Sequence, residues 1–211
     1  ARVIVGNGAV IEGGTIVVEA DRLVAVGDAD TVAVPTGATR VDLTGRTVMP
    51  AIVDTHVHLR TTSREELVED LQRKAYYGVA AVLSLGRGTG DLAFQIRDEV
   101  IPNAARYVTV GRGITAPEPG RTEVPYWIST EEEARAAVSE LAPQNLELVK
   151  IWVDDRSGQF EKLTPELYGA VIDEAHQHGL RVTAHVYTLE DAKGLLRAGL
   201  DAFAHGIRDV D

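Results

Sequence analysis

From residue 50 onward the sequence alternates short apolar segments with longer amphipathic ones. The apolar segments have the length of strands and are rich in β-branched residues, whereas the amphipathic ones carry helix signals such as the Thr-x-x-Glu pattern of Thr130 and Glu133. This alternation favours an α/β fold with a parallel sheet covered by helices. The predicted strands are residues 52–57, 79–85, 107–110, 146–153, 181–186 and 202–205.

Residues 1–49 have a different pattern. Short β-branched runs are separated by glycine-rich and polar turn signals, as at Gly6-Asn7-Gly8. We therefore expect a small antiparallel sheet unit that is distinct from residues 50–211. Its predicted strands are residues 3–5, 9–11, 15–19, 23–26, 41–43 and 47–49.

Composition narrows the class of partner. The net charge of −11 disfavours nucleic acid, because phosphate binding requires a basic surface. No apolar run reaches about 18 residues, so we expect no membrane span. The chain has no cysteine, which excludes disulfides and thiolate metal ligands. We expect a soluble protein that is cytoplasmic or exported after processing, and the sequence does not choose between these.

Candidate metal ligands end several of the predicted strands. His56 and His58 stand two apart on the first strand, so their side chains point the same way and could form half of a metal site. Two unrelated surface histidines are the alternative. Lys150 lies in the fourth strand, and His185 and His205 end the fifth and sixth. The active sites of parallel barrels lie at these strand ends, although Lys150 could also be a salt-bridged strand lysine.

This set of residues resembles the amidohydrolase superfamily, and the motif Asp54-Thr55-His56-Val57-His58 carries much of the resemblance. The short spacing between His185 and His205 is similar to the branch containing imidodipeptidases and imidazolonepropionase-like enzymes. The resemblance implies a (β/α)8 TIM-type barrel, with about six βα units in residues 50–211. It also implies that residues 1–49 are part of a β-sandwich subdomain.

The resemblance further implies a binuclear centre, most simply with two zinc ions. His56 and His58 would bind one ion, His185 and His205 would bind the second, and a carbamylated Lys150 would bridge them. The activity implied is hydrolysis of an amide or other C–N bond in a small molecule, such as a dipeptide, an N-acyl amino acid or a cyclic amide.

The catalytic aspartate of this family follows the eighth strand, so we expect it beyond residue 211 and assign no catalytic residue here. The remaining C-terminal part of the enzyme is then an expected partner, and we also expect a homo-oligomer. The alternative is a truncated, non-catalytic metal-binding or assembly fragment.

Three residues near strand ends are candidates for substrate binding. Arg60 and Arg112 could hold a substrate carboxylate, and Tyr187 directly follows the fifth strand. The loop of residues 111–125 is long for its position and could close over a substrate. Tyr126 and Trp127 at its end could cover an apolar side chain or pack against the fold.

Overall fold

A computed structural model describes residues 1–59 and 62–209. The chain divides into two compact units, Ala1–Ala51 and the part that starts at Ile52. Within the described residues, no helix is long and apolar enough to cross a membrane.

The first unit consists of five short strands in two sheets. Strand β1 pairs antiparallel with β2 and parallel with β5, and β3 pairs antiparallel with β4. The strands are β1 (Arg2–Ile4), β2 (Val10–Ile11), β3 (Gly14–Glu19), β4 (Arg22–Asp28) and β5 (Thr47–Val48). The parallel pairing of β1 and β5 departs from the all-antiparallel sheet that we expected.

The predicted strand at residues 41–43 is wrong. The carboxylate of Asp42 accepts hydrogen bonds from the backbone nitrogen of Thr44 at 2.9 Å and from its hydroxyl at 2.7 Å. These local bonds form a turn that competes with strand pairing. An aspartate flanked by Val41 and Leu43 gives the apolar alternation of a strand, but its side chain stabilises the turn instead.

The second unit alternates strands and helices, as predicted. Its strands are β6 (Ile52–Val57), β7 (Val79–Ser84), β8 (Arg106–Thr109), β9 (Ile114–Thr115), β10 (Tyr126–Trp127), β11 (Leu148–Val153), β12 (Arg181–Val186) and β13 (Ala202–Phe203). Its helices are α1 (Arg64–Tyr76), α2 (Gly90–Asp98), α3 (Glu131–Leu141), α4 (Pro165–Gln177) and α5 (Leu189–Arg197).

The strands of the second unit form two parallel sheets. One has the order β6-β7-β8, and the other has the order β10-β9-β11-β12-β13. The backbone nitrogen of Gly113 donates to the carbonyl of Gly86 at 3.0 Å, which connects the segment after β7 with the segment after β8. The mixed α/β class is confirmed, and closure into a barrel stays a prediction.

Helix starts follow the sequence signals. Thr130 and Glu133 form a reciprocal capping box at α3, and the hydroxyl of Ser63 accepts from the backbone nitrogen of Glu66 at 3.3 Å. Pro165 occupies the first turn of α4. These caps satisfy backbone donors that a helix leaves unpaired at its start.

Two apolar cores hold the layers together. The larger packs helices α3, α4 and α5 against β11 and β12, with Leu141, Val171 and Leu195 fully buried. The smaller packs α1 and α2 against β6, β7 and β8 around Leu67 and Leu71. Burying a leucine side chain contributes about 2 kcal/mol, so the helix-facing sides of the strands supply much of the stability.

Candidate metal centre

Strand β11 carries the site on the face opposite to its helices. Val149, Ile151 and Val153 are fully buried in the larger apolar core. Because successive side chains on a strand point to opposite faces, Lys150 and Trp152 project from the other side. This alternation explains how a lysine comes to lie inside a strand that is otherwise apolar.

Lys150 is fully buried, and its Nζ has no hydrogen-bond partner within the described residues. The nitrogen lies 5.5 Å from the ring centroid of Trp152. Burial, with a smaller effect from the Arg156 charge, lowers the pKa of Lys150 to about 7. An amine without a partner in this position is costly, so its presence calls for a chemical explanation.

His56 and His58 form the first histidine pair. Their Nε2 atoms are 3.1 Å apart. The other ring nitrogen of His56 faces the carbonyl of Ala204 at 3.1 Å, and His58 hydrogen-bonds to the backbone of Leu85. A carbonyl accepts only from an N–H, so the bond to Ala204 leaves the Nε2 of His56 as a bare lone pair that faces the Nε2 of His58.

His185 and His205 form the second pair. The Nδ1 of His185 lies 2.6 Å from the Nε2 of His205. The Nδ1 of His205 is 3.0 Å from the carbonyl of Gly206, and the Nε2 of His185 is 2.7 Å from the carboxylate of Asp154. Both outer nitrogens therefore face acceptors, and donation to these acceptors would leave the inner nitrogens as lone pairs that point at each other.

The two pairs adjoin. The rings of His56 and His205 stack with centroids 5.7 Å apart, although these residues are far apart in sequence. Desolvation lowers the pKa of His58 and of His185 to about 4, and it also lowers the pKa of His56. At neutral pH these three rings are uncharged, which is the state that binds metal.

A divalent cation fits these residues. Lone pairs that face each other at 2.6 and 3.1 Å repel unless a proton or a metal lies between them. In a tetrahedral zinc site with bonds of about 2.0 Å, ligand nitrogens lie about 3.3 Å apart, so the first pair is close to that spacing and the second must widen. In residues 1–59 and 62–209, no three His, Cys, Asp or Glu side chains are already grouped around one metal position.

A network of charged residues beside His185 was not predicted. Arg156 pairs with the carboxylate of Asp154, donates from Nε to Glu118 at 2.9 Å, and lies 3.3 Å from the Nε2 of His185. Glu118 is buried and also pairs with Arg121. The position of Asp154 directly after β11 was a usable signal, but nothing local in the sequence marks Glu118.

The candidate substrate residues are placed unequally. Arg60 lies outside the described residues. Arg112 donates to the carbonyls of Val124 and Pro125 at 2.7 and 3.3 Å and sits over the Tyr126 ring at 3.9 Å, so it anchors its own loop. Tyr187 is exposed next to His185. A substrate role for these residues stays a prediction.

The loop of residues 111–125 is tied into the sheet at both ends. Ile114–Thr115 pairs with Tyr126–Trp127, and Ile114 also pairs with Ile151 of β11. The Tyr126 hydroxyl donates to Glu140 on α3 at 2.6 Å. Of the two roles considered for Tyr126, its contacts show packing against the fold.

Sequence relatives of this chain and solved structures with a similar fold are known. No protein-family model matches the chain. An uncharacterised Mycobacterium tuberculosis protein is 27% identical over 173 residues, which are 77% of this chain and 45% of that protein. An enamidase from Eubacterium barkeri is 25% identical over 190 residues, 83% of this chain and 45% of the enamidase.

A crystal structure from Bifidobacterium longum, of a protein whose assignment as a prolidase is provisional, superposes with a TM-score of 0.82. It is 28% identical, and the match covers 98% of this chain and 53% of that one. The chain thus spans about half the length of the curated relatives and structures that it matches.

Repeated strand–helix units with histidines at the strand ends define the class as that of the metal-dependent hydrolases, to which this protein is related. The chain is similar to proteins of the amidohydrolase superfamily and within it to prolidases and Xaa-Pro dipeptidases. The resemblance to this superfamily is confirmed, and the roles of the individual site residues stay predictions.

Proposed function

We propose that this chain is part of a metal-dependent hydrolase that cleaves an amide or other C–N bond in a small molecule. In this proposal β6, β7, β8, β11, β12 and β13 belong to a (β/α)8 barrel. One observation supports it above all others. Two pairs of imidazole nitrogens face each other at 3.1 and 2.6 Å, and a buried lysine close by has no hydrogen-bond partner in the described residues.

The ligand roles follow from which nitrogens are bare. His56 and His58 would hold one divalent ion through Nε2, and His185 and His205 would hold the second through Nδ1 and Nε2. Zinc suits a site of nitrogen and oxygen ligands without cysteine. Lys150 would supply the bridging ligand as a carbamate.

Carbamate formation suits the environment of Lys150. With a pKa of about 7, a large fraction of the amine is neutral at physiological pH and can attack carbon dioxide. The nitrogen forms a bond to the carbon, a proton leaves, and the product carries an anionic oxygen pair. This change replaces a buried amine that lacks a partner with a metal ligand.

The metals, when bound, would supply hydroxide near neutral pH and polarise the carbonyl under attack. Desolvation within the chain lowers the pKa of His56, His58 and His185, and hydrogen bonds to the outer ring nitrogens hold the four imidazoles in place. Arg60, Arg112 or Tyr187 would orient the substrate, and an arginine could grip a carboxylate with two hydrogen bonds.

The proposed substrates are dipeptides, N-acyl amino acids and cyclic amides. The names of the similar proteins support C–N bond cleavage, and similarity to prolidases and Xaa-Pro dipeptidases favours dipeptides ending in proline. A neutral or anionic molecule with a free carboxylate fits the arginines near the strand ends.

The test is a substrate screen with the protein that contains this chain, loaded with zinc and bicarbonate. Xaa-Pro dipeptides, other dipeptides, N-acyl amino acids and cyclic amides are assayed beside lactones and phosphotriesters. We expect amine release from the first group and its loss in Lys150→Met, with the exposed Lys193→Met as the matched control.

Two outcomes contradict the proposal. Turnover confined to lactones or phosphotriesters would overturn the C–N bond assignment. Less than one metal equivalent per folded chain would overturn the metal centre. Metal binding with no turnover of any substrate would favour the non-catalytic alternative.

A further inference from the structure

The Nε2 of His185, which points away from His205, has contacts that differ from those of the corresponding nitrogens in the other three histidines. His56, His58 and His205 face backbone oxygens, which can only accept a hydrogen bond. The Nε2 of His185 instead faces two side chains of opposite character. The carboxylate of Asp154 is an acceptor at 2.7 Å, and the guanidinium of Arg156 is a donor at 3.3 Å.

These two contacts select opposite tautomers. If Nε2 carries the hydrogen, it donates to Asp154 and leaves Nδ1 bare towards His205. If Arg156 donates to Nε2, the ring hydrogen moves to Nδ1 and blocks the nitrogen that faces the partner histidine. The choice between Asp154 and Arg156 therefore decides whether His185 can bind a metal through Nδ1, the nitrogen that faces His205.

The surrounding contacts favour Asp154. Its contact to His185 is the shorter one, and the Arg156 side chain is already committed to two carboxylates, those of Asp154 and Glu118. Glu118 is 1% exposed and is held in the loop of residues 111–125. Glu118 therefore binds the Arg156 guanidinium from the side of this loop. Asp154 remains the hydrogen-bond acceptor for His185.

We propose that Asp154 is a positioning residue that fixes His185 as the Nε2–H tautomer with Nδ1 turned to the second metal, and that Arg156 and Glu118 hold the Asp154 carboxylate in place. A carboxylate behind a ligating histidine also raises its basicity, and loss of such a partner commonly costs 10- to 100-fold in metal affinity. The inference rests on the metal centre of the proposed function.

The first measurement reads the tautomer without any metal. Long-range ¹H–¹⁵N NMR of the histidine-labelled, metal-free chain distinguishes a protonated Nε2 from a protonated Nδ1. Without metal, the Nε2 of His205 can supply the proton that lies between the two rings, so we expect Nε2–H for His185 in the wild type and in the neighbouring control Asp155→Ala. Asp154→Ala should switch the ring to Nδ1–H, because Arg156 is then left as the donor to Nε2.

The second measurement is the affinity for the second zinc ion, determined by competition with a chelator. We expect Asp154→Ala to weaken it by about 100-fold and Asp154→Asn by about 10-fold. Asparagine keeps an acceptor oxygen, so the Nε2–H tautomer should survive while the charge is lost. Asp155→Ala should leave the affinity within about twofold of the wild type.

An unchanged tautomer and an unchanged affinity in Asp154→Ala would overturn the inference. If that variant fails to fold by circular dichroism, the nearly isosteric Asp154→Asn decides through its affinity, and a wild-type value overturns the inference. Absence of zinc binding in the wild type would instead refute the proposed function, and the tautomer would still show what orients His185.

Discussion

Replacing Lys150 with methionine should stabilise the metal-free protein. The lysine is fully buried with no hydrogen-bond partner in the described part of the chain, and methionine has a similar length without the charge. Burial lowers the pKa of Lys150 from 10.5 to about 7. At 1.36 kcal/mol per pH unit, this gap corresponds to a destabilisation of about 5 kcal/mol when the amine is charged in both states.

The penalty depends on pH with a definite sign. Between about pH 7 and 10.5 the unfolded chain binds the proton while the folded one does not, so the free energy of unfolding rises with pH in this window. From pH 6 to pH 9 the titration of Lys150 should raise the free energy of unfolding of the wild type by about 2 to 3 kcal/mol. Lys150→Met lacks this pH-dependent contribution. The amount by which its free energy of unfolding exceeds that of the wild type should therefore shrink from pH 6 to pH 9.

The assay is urea unfolding at pH 6 and pH 9, in chelator and in buffer free of carbon dioxide, so that neither metal nor carbamate forms. Lys193→Met is the matched control, because Lys193 is exposed on α5 and should change stability by less than about 0.5 kcal/mol. The reasoning is refuted if Lys150→Met is less stable than the wild type at pH 6, or if its advantage is equal at both pH values.

Three further perturbations test other parts of the structure. Thr130→Ala removes the capping box of α3 and should cost about 0.5 to 2 kcal/mol in thermal unfolding, whereas Glu131→Ala beside it should cost less. Gly113→Ala would place a Cβ 2.1 Å from the Trp152 ring, so it should destabilise the protein by about 1 to 3 kcal/mol and change its tryptophan fluorescence. A variant with the stability and the fluorescence emission of the wild type would contradict this packing. Removing metal with a chelator should lower the melting temperature, since saturation at 100 times the dissociation constant stabilises by about 2.7 kcal/mol; an unchanged melting temperature would argue against specific binding.

The repeated strands and helices of the second unit could be predicted because their signals are local. Strands β6 and β12 lie within the predicted bounds, and the Thr130 cap starts α3 where the sequence indicated. Strands β9 and β10 were missed because each has two residues, and neither shows a periodic pattern. Strand β9 depends on pairing with β11, and β10 depends on pairing with β9, which a local pattern does not reveal.

The candidate site could be predicted in part. His56, His58, Lys150, His185 and His205 were found because parallel strands bring their carboxyl ends together. The charged residues beside His185 were not found, because Glu118 contacts Arg156 across 38 positions of sequence. Long-range ion pairs of this kind depend on how a loop folds back onto the protein. Neither the composition nor the local sequence pattern predicts that path.

The register of strands β11 and β12 determines both the apolar core and the candidate site. Strands β11 and β12 pair so that Lys150 lies beside Thr183 and Trp152 beside His185, while the residues between them enter the helix-facing core. A slip of one residue would turn His185 into that core and bring Val186 to the site, because side chains alternate with a period of two. Burial of Val182, Ala184 and Val186 under the helices therefore excludes the slipped register. The hydrophobic residues that never contact the site are what direct its imidazoles towards one another.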